Sequence, residues 1–92
     1  TIGVLYVDFL VPGARSLKEK RRVVKSLKDL TRKRFNCSVA EIDYQDTWQR
    51  SCMAFCVVST SSRHANTQLN QIVEFVSDKP GAEMVDYSIE MI

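Results

Sequence analysis

The order in which hydrophobic periodicities follow one another constrains the fold of this chain more than any other feature. Residues 3–11 fit a strand with a period of two, in which one side is apolar and the other carries Tyr6, Asp8 and Leu10. Pro12 and Gly13 interrupt that strand. The apolar residues on its predicted buried side are Leu5, Val7, Phe9 and Val11.

A long helix is predicted after this interruption. Ser16 and Glu19 form an S-x-x-E pattern, in which a hydroxyl and a carboxylate satisfy backbone N–H groups at a helix N-terminus. The helical periodicity then continues to about Arg34, and Asn36 marks the predicted end. The predicted buried stripe consists of Leu17, Val23, Val24, Leu27, Leu30 and Phe35.

A hairpin is predicted next, because two strand-like segments, residues 37–43 and 48–59, flank the polar residues 44–47. Ser61 or Ser62 can cap a second helix, which residues 79–81 (Lys-Pro-Gly) end. Its predicted buried stripe is Ala65, Leu69, Ile72, Val73 and Val76. A last strand follows, with a predicted half-buried side of Val85, Tyr87, Ile89 and Met91.

The predicted order is therefore β-α-β-β-α-β, the ferredoxin-like α+β arrangement in which two helices cover one face of a four-stranded antiparallel sheet. The other sheet face stays open. Residues 1–92 are expected to form a single domain, since so short a chain supports one core. The predicted core consists of Leu5, Val7, Phe9, Leu27, Leu30, Phe55, Leu69, Ile72 and Val76.

The composition excludes several classes of protein. With 45% hydrophobic residues, 3 Gly and 2 Pro, the chain is neither collagen-like nor disordered. The longest apolar runs are far shorter than a membrane span, and no signal segment is recognised, so we expect a soluble protein with no membrane partner. Three Cys without paired spacing indicate a reduced, cytoplasmic chain.

Positive charge is concentrated in the first helix. The segment from Arg15 to Arg34 carries a net charge of +8, whereas the rest of the chain carries −6. On a helical wheel, most of these cations fall on one outward face, where repulsion between like charges at i, i+3 and i, i+4 favours an anionic partner. The alternative is a solvated surface. With Arg15 before the helix, the residues predicted to contact nucleic acid are Arg15, Lys18, Arg21, Arg22, Lys25, Lys28 and Arg32.

No catalytic constellation is recognisable in the sequence, so we expect a protein that is not an enzyme. Cys52 and Cys56 are four residues apart on one strand, too distant to share a zinc ion, and His64 is the only histidine. The three glycines form no phosphate-binding loop. We therefore expect no metal and no cofactor.

The hairpin region holds a second group of candidate residues, because it combines the only Trp with amides, a carboxylate and a cation. Such a loop can bind a ligand or a partner. It can equally be structural, with its polar groups closing a turn and its Trp covering an edge of the core. The candidate residues are Gln45, Asp46, Trp48, Gln49 and Arg50.

The chain resembles the YlxP-like family of small bacterial proteins in four segments: residues 12–22 (PGARSLKEKRR), residues 39–41 (VAE), residues 45–46 (QD) and residues 48–50 (WQR). The resemblance implies a ferredoxin-like fold in the bacterial cytoplasm. Genes of that family often lie between those for translation initiation and ribosome-binding factor A, which implies a part in ribosome maturation or translation. The family has no established catalytic residues to transfer.

Two hypotheses about function follow from these observations. The leading hypothesis is a non-enzymatic module that associates with RNA or the ribosome through the basic face of the first helix. The alternative is a homodimerising protein-interaction domain that uses the open sheet face, which carries Tyr6, Leu10, Ala54 and Val58.

Overall fold

Four strands and two helices follow one another in the predicted order. The computed structural model describes residues 1–92. Its elements are β1 (Ile2–Leu10), α1 (Leu17–Arg34), β2 (Ser38–Asp43), β3 (Arg50–Val58), α2 (Ser62–Ser77) and β4 (Glu83–Met91). All strand pairs are antiparallel, and the sheet order is β2-β3-β1-β4. This arrangement confirms the α+β prediction and is consistent with the ferredoxin-like fold.

The core lies between one face of the sheet and the two helices. Alternate residues of the central strands point into it, as the period of two in β1 predicts. Leu30 aside, every residue of the predicted core is buried: Leu5, Val7, Phe9, Leu27, Phe55, Leu69, Ile72 and Val76. Neither helix has the length and hydrophobicity that a membrane span requires.

Helix α1 begins as its capping pattern predicts. Ser16 is the N-cap, and its hydroxyl accepts a hydrogen bond from the Glu19 backbone N–H. The Glu19 carboxylate accepts from the backbone N–H of Arg15, one residue before the cap. Both ends of this short reciprocal pattern satisfy N–H groups that have no partner inside the helix. Helix α2 is capped similarly by Ser61, which accepts from the His64 N–H.

The buried stripe of α1 differs from the predicted one. Leu30, predicted in the core, is 41% exposed, so that prediction is wrong. The buried residues are the predicted Val24 and Leu27 together with Lys20 and Thr31, and the predicted Val23 and Phe35 pack partly buried against the core. Two polar side chains can take core positions because both are satisfied: Thr31 donates to the Leu27 carbonyl, and Lys20 is paired within the chain.

Helix α2 packs so close to strand β1 that no side chain fits between them at position 3. Its buried stripe is the predicted one, Ala65, Leu69, Ile72, Val73 and Val76. Gly3 on β1 faces this helix, and a Cβ at that position would lie 2.8 Å from the Leu69 Cδ1 atom. The absence of a side chain at Gly3 therefore sets how near α2 lies to the sheet.

The final strand corrects a second prediction. Met84 pairs with Phe9 and Asp86 pairs with Asp8, so Val85 is an extra residue at a bulge. As a result, Met84 packs against the core, whereas Val85 is 53% exposed. Tyr87 and Ile89 pair with Val7 and Leu5 and lie on the predicted side, where Ile89 packs against the core and Tyr87, on an edge strand, is 45% exposed. The predicted alternation in β4 is therefore wrong at Val85, because the bulge reverses the side of the strand for the residues that precede Asp86.

A matched pair of variants tests the orientation of α1. Leu27→Ala should lower the free energy of unfolding by about 2–5 kcal/mol, because it leaves a cavity beneath the helix. Leu30→Ala should lower it by only about 1 kcal/mol, since that residue is 41% exposed and its truncation leaves no enclosed cavity. Urea denaturation of both variants measures the difference. Equal losses would contradict the observed rotation of the helix.

Candidate nucleic-acid interface

Six cations of α1 form a strip along one side of the helix, which we call the basic flank: Lys18, Arg21, Arg22, Lys25, Lys28 and Arg32. Part of the flank lies beside the edge strand β2, because an Arg32 guanidinium nitrogen donates to the Val39 carbonyl at 3.0 Å. A shallow depression at this side is lined by Arg21, Lys25, Lys28 and Arg32 together with Val24, Asp29 and Glu41. The structure thus brings Arg21, Lys25, Lys28 and Arg32 together on one surface, whereas Arg22 lines a separate depression with Leu30, Lys79 and Pro80.

Most cations of the basic flank are unneutralised within the chain. Lys18, Arg21 and Arg22 are exposed and make no hydrogen bond or ion pair. Lys25 pairs with Asp29 at 2.6 Å, and the hydrogen bond from Lys25 lowers the pKa of the Asp29 carboxyl. That pair is solvent-exposed, so its contribution to stability is small.

The open sheet face carries the opposite charge. The strand register places Asp8 directly beside Asp86 on β4 and beside Cys52 on β3, and Cys52 in turn pairs with Asp43 on β2. A row across the whole sheet therefore contains three carboxylates. Burial and then the neighbouring Asp8 raise the pKa of the Cys52 thiol. The basic flank and the open sheet face, the two candidate functional surfaces, therefore carry charges of opposite sign.

A buried lysine connects α1 to the β2–β3 hairpin. Lys20 is fully buried, and its ammonium lies 2.6 Å from the Glu41 carboxylate and 2.6 Å from the Tyr44 carbonyl, with the Gln45 carbonyl at 3.4 Å. An ammonium has three protons, so these three acceptors match its donors. Ser51 also donates to Glu41 at 2.6 Å. The Lys20 ammonium is therefore paired inside the protein and does not reach solvent.

The hairpin loop, residues 44–49, is fixed at both ends. At its start, Tyr44 has a φ of 61°, a left-handed conformation that is costly outside glycine, and Lys20 holds its carbonyl. At its end, the Gln49 side chain donates to the Ala14 carbonyl at 3.0 Å, and the Gln49 carbonyl accepts from the Val11 N–H. The Arg50 guanidinium lies 4.2 Å from the centre of the Tyr44 ring.

The candidate hairpin residues divide into two groups. Gln49 and Arg50 make contacts that hold the loop, as the structural alternative requires. Gln45, Asp46 and Trp48 present exposed side chains, and Trp48 is 52% exposed. The structure places Trp48 in the loop, because β3 begins at Arg50 and not at the predicted position 48. Trp48 therefore does not cover the core.

Reasoning from the sequence missed the role of Glu41. Val39 and Glu41 are two apart on β2, so they share a side of the strand, and Val39 is buried. A carboxylate at an inward-facing strand position signals a buried cation, because an unpaired buried charge is strongly unfavourable. Only Lys20, on the apolar side of α1, meets that requirement.

The three cysteines and the histidine lie apart from any constellation of reactive groups. Cys37, Cys52 and Cys56 are free and half-buried, and burial raises the pKa of the Cys37 thiol. His64 is exposed in the first turn of α2. No group of three or more His, Cys, Asp or Glu side chains is arranged to hold a metal ion.

The fold and these surfaces define a small α+β domain of ferredoxin-like architecture. A family model described as a protein of unknown function (DUF503) matches residues 2–89. The chain is also 37% identical over 82 residues to the uncharacterized protein YlxP of Bacillus subtilis (strain 168), with 89% of each chain covered. The chain therefore belongs to the DUF503, or YlxP-like, family, which confirms the resemblance found in its motifs.

A double-mutant cycle tests the buried ion pair. Lys20→Met should lower the free energy of unfolding by about 3–5 kcal/mol, because it leaves the Glu41 carboxylate without its cation in a largely buried site. The double variant Lys20→Met with Glu41→Leu should be more stable than Lys20→Met alone, since it removes the uncompensated charge. Chemical denaturation of the parent, both single variants and the double variant measures the coupling. Strictly additive losses would contradict a direct interaction.

Proposed function

We propose that the protein is a non-enzymatic RNA- or ribosome-associated module that contacts phosphates through the basic flank and Arg15. The observation that carries the proposal is the row of cations on successive turns of α1, of which Lys18, Arg21 and Arg22 are exposed and unpaired. The helix has 18 residues and is about 27 Å long, so the cations form an extended row and not a point site. Such a row fits a polyanion better than it fits a single anionic group.

The distribution of charge over the two faces supports the helix as the RNA side. Many RNA-binding domains of similar topology stack bases on the open sheet face. In this chain the row of Asp8, Asp43 and Asp86 would repel phosphates from that face. The electric field of the molecule would therefore orient a polyanion toward α1.

A role in ribosome maturation or translation, in the bacterial cytoplasm, is the setting that we propose for this contact. Ribosomal RNA supplies a dense array of phosphates, and a contact made through lysine and arginine positions a protein without reading bases. We propose no catalytic step, because none of the described surfaces combines a nucleophile, a base and a site for substrate.

The second candidate function is homodimerisation through the open sheet face. Ile2 and Val58 pair directly at one end of this face, and they are 41% and 78% exposed. Pairing the same apolar ends of two copies about a two-fold axis would bury these side chains. The row of carboxylates farther along the face would oppose complete overlap of the two sheets.

The RNA proposal predicts a steep dependence of affinity on salt. Replacing Lys18, Arg21 and Arg22 with Gln should weaken binding to ribosomal RNA and should reduce the slope of log K against log salt by about 2, since three phosphate contacts are lost. Stability should be unchanged or higher, because these side chains make no hydrogen bond or ion pair within the chain and their mutual repulsion disappears. Titration of purified ribosomal RNA and subunits at several salt concentrations measures both quantities.

Arg63→Gln provides the control, because this exposed arginine lies on α2 and outside the basic flank. It should leave the salt slope nearly unchanged. An acidic protein titrated in parallel distinguishes RNA binding from general attraction to anions. If the triple variant binds RNA and subunits as tightly as the parent at low salt, the basic flank is only a solvated surface.

The dimer proposal predicts the opposite response to salt. Screening of the carboxylate row should strengthen association through the sheet face, whereas the same salt weakens RNA binding. Val58→Asp should abolish the association by placing a charge at the apolar end of the face. Light scattering at micromolar concentration measures the mass. A constant mass of 10.5 kDa at low and high salt would reject the dimer.

A further inference from the structure

Trp48 is exposed although the loop around it is firmly held. Tryptophan is highly buried on average, and a ring that is 52% exposed contributes little to this core. Its indole makes no hydrogen bond within the chain. The contacts of Tyr44 with Lys20, and of Gln49 with Ala14, nevertheless fix the backbone before and after it.

The rigidity of this loop lowers the cost of binding through Trp48. An exposed side chain on a mobile loop loses conformational entropy when a partner orders it. Here the strained Tyr44 backbone and the buried Lys20 have already ordered the loop. Backbone strain of this kind persists only where the surrounding structure imposes it, and it clusters at functional sites.

The position of the loop relates Trp48 to the basic flank. Gln49 holds the loop against Ala14, and Ala14 is followed by Arg15 and then by the first turn of α1. Trp48 therefore lies at the end of the molecule where the row of cations begins. The neighbours Gln45 and Asp46 expose an amide and a carboxylate, which can hydrogen-bond to base edges.

We propose that Trp48 stacks on an unpaired base of a single-stranded RNA segment whose phosphates lie along the basic flank. This inference rests on the proposed function and specifies the form of RNA that the site takes. Stacking on aromatic rings accepts any base and requires bases that are not already paired in a duplex. The basic flank supplies the phosphate contacts, and Trp48 supplies a contact that only a single strand can make.

The surroundings of Trp48 favour RNA over a protein partner. A protein contact centred on tryptophan is usually completed by a desolvated, apolar surface around it. The neighbours of Trp48 in the loop are Asp46, Thr47 and Gln49, which are all exposed and polar, and Arg50 follows them. Single-strand binding sites combine an exposed aromatic ring, which stacks on a base, with cations that contact phosphates, and Trp48 and the basic flank provide both.

Intrinsic fluorescence tests the proposal directly, because Trp48 is the only tryptophan of the chain. A single-stranded adenosine oligonucleotide should quench the emission of the parent protein as it binds. A blunt RNA duplex of equal phosphate content should bind through the basic flank with little quenching. Equal quenching by the duplex and the single strand would overturn the stacking assignment.

Variants separate this inference from the proposed function. Trp48→Ala should weaken single-strand binding about 5- to 150-fold while the salt slope stays that of the parent, since no phosphate contact is lost. Trp48→Phe should restore part of the affinity. Tyr87→Ala is the matched control, because it removes an exposed aromatic ring from β4, far from the hairpin loop along the sheet order, and should leave affinity unchanged.

The measurements distinguish a failure of the stacking proposal from a failure of the proposed RNA-binding function. If Trp48→Ala binds the single strand like the parent while the Lys18, Arg21 and Arg22 triple variant loses binding, the stacking assignment is wrong and the proposed function stands. If the parent binds neither single-stranded nor duplex RNA, both are wrong, and Trp48 becomes a candidate contact for a protein. Circular dichroism melts of each variant establish that any loss of binding occurs in a folded chain.

Discussion

The buried Lys20–Glu41 ion pair is the interaction on which the candidate sites of this structure depend. A lysine ammonium without solvent must be matched by acceptors, and here a carboxylate and two loop carbonyls supply them. This requirement sets the rotation of α1, because Lys20 must face the hairpin. It also sets the hairpin loop, since its first two carbonyls point at the ammonium. Both the orientation of the basic flank and the position of Trp48 follow from this one charge.

The separation of positive charge on α1 from negative charge on the open sheet face makes the domain electrically polar. A protein of net charge +2 would attract RNA only weakly if its charges were mixed evenly over the surface. The positive charge lies on α1, and carboxylates cross the open sheet face from β2 to β4. Phosphates and the sheet face therefore repel each other, while an apolar end at Ile2 and Val58 remains on that face. The two proposed functions use different surfaces and respond to salt with opposite signs.

Local patterns predicted most of the architecture. The Ser16 N-cap, the placement of the α2 N-cap at Ser61 or Ser62, the buried stripe of α2 and the buried side of β1 were correct, because each depends on residues a few positions apart. The errors involve distant residues. Leu30 was placed in the core since it continues an apolar stripe, but the pairing of Lys20 with Glu41 rotates α1 away from it. The bulge at Val85 is defined by the pairing of β4 with β1, so the residues around Val85 do not by themselves predict it.

For the candidate site, the sequence alone determined which cations α1 carries and that the hairpin holds the only tryptophan, because composition and helical periodicity are local properties. The tertiary structure decided which of these groups are available. It buried Lys20, left Lys18, Arg21 and Arg22 unpaired, and held Trp48 exposed beside the start of α1. The physical reason is that charge pairing and solvent exposure depend on neighbours in space, and Glu41, Tyr44 and Ala14 become neighbours of these groups only when the sheet and α1 pack together.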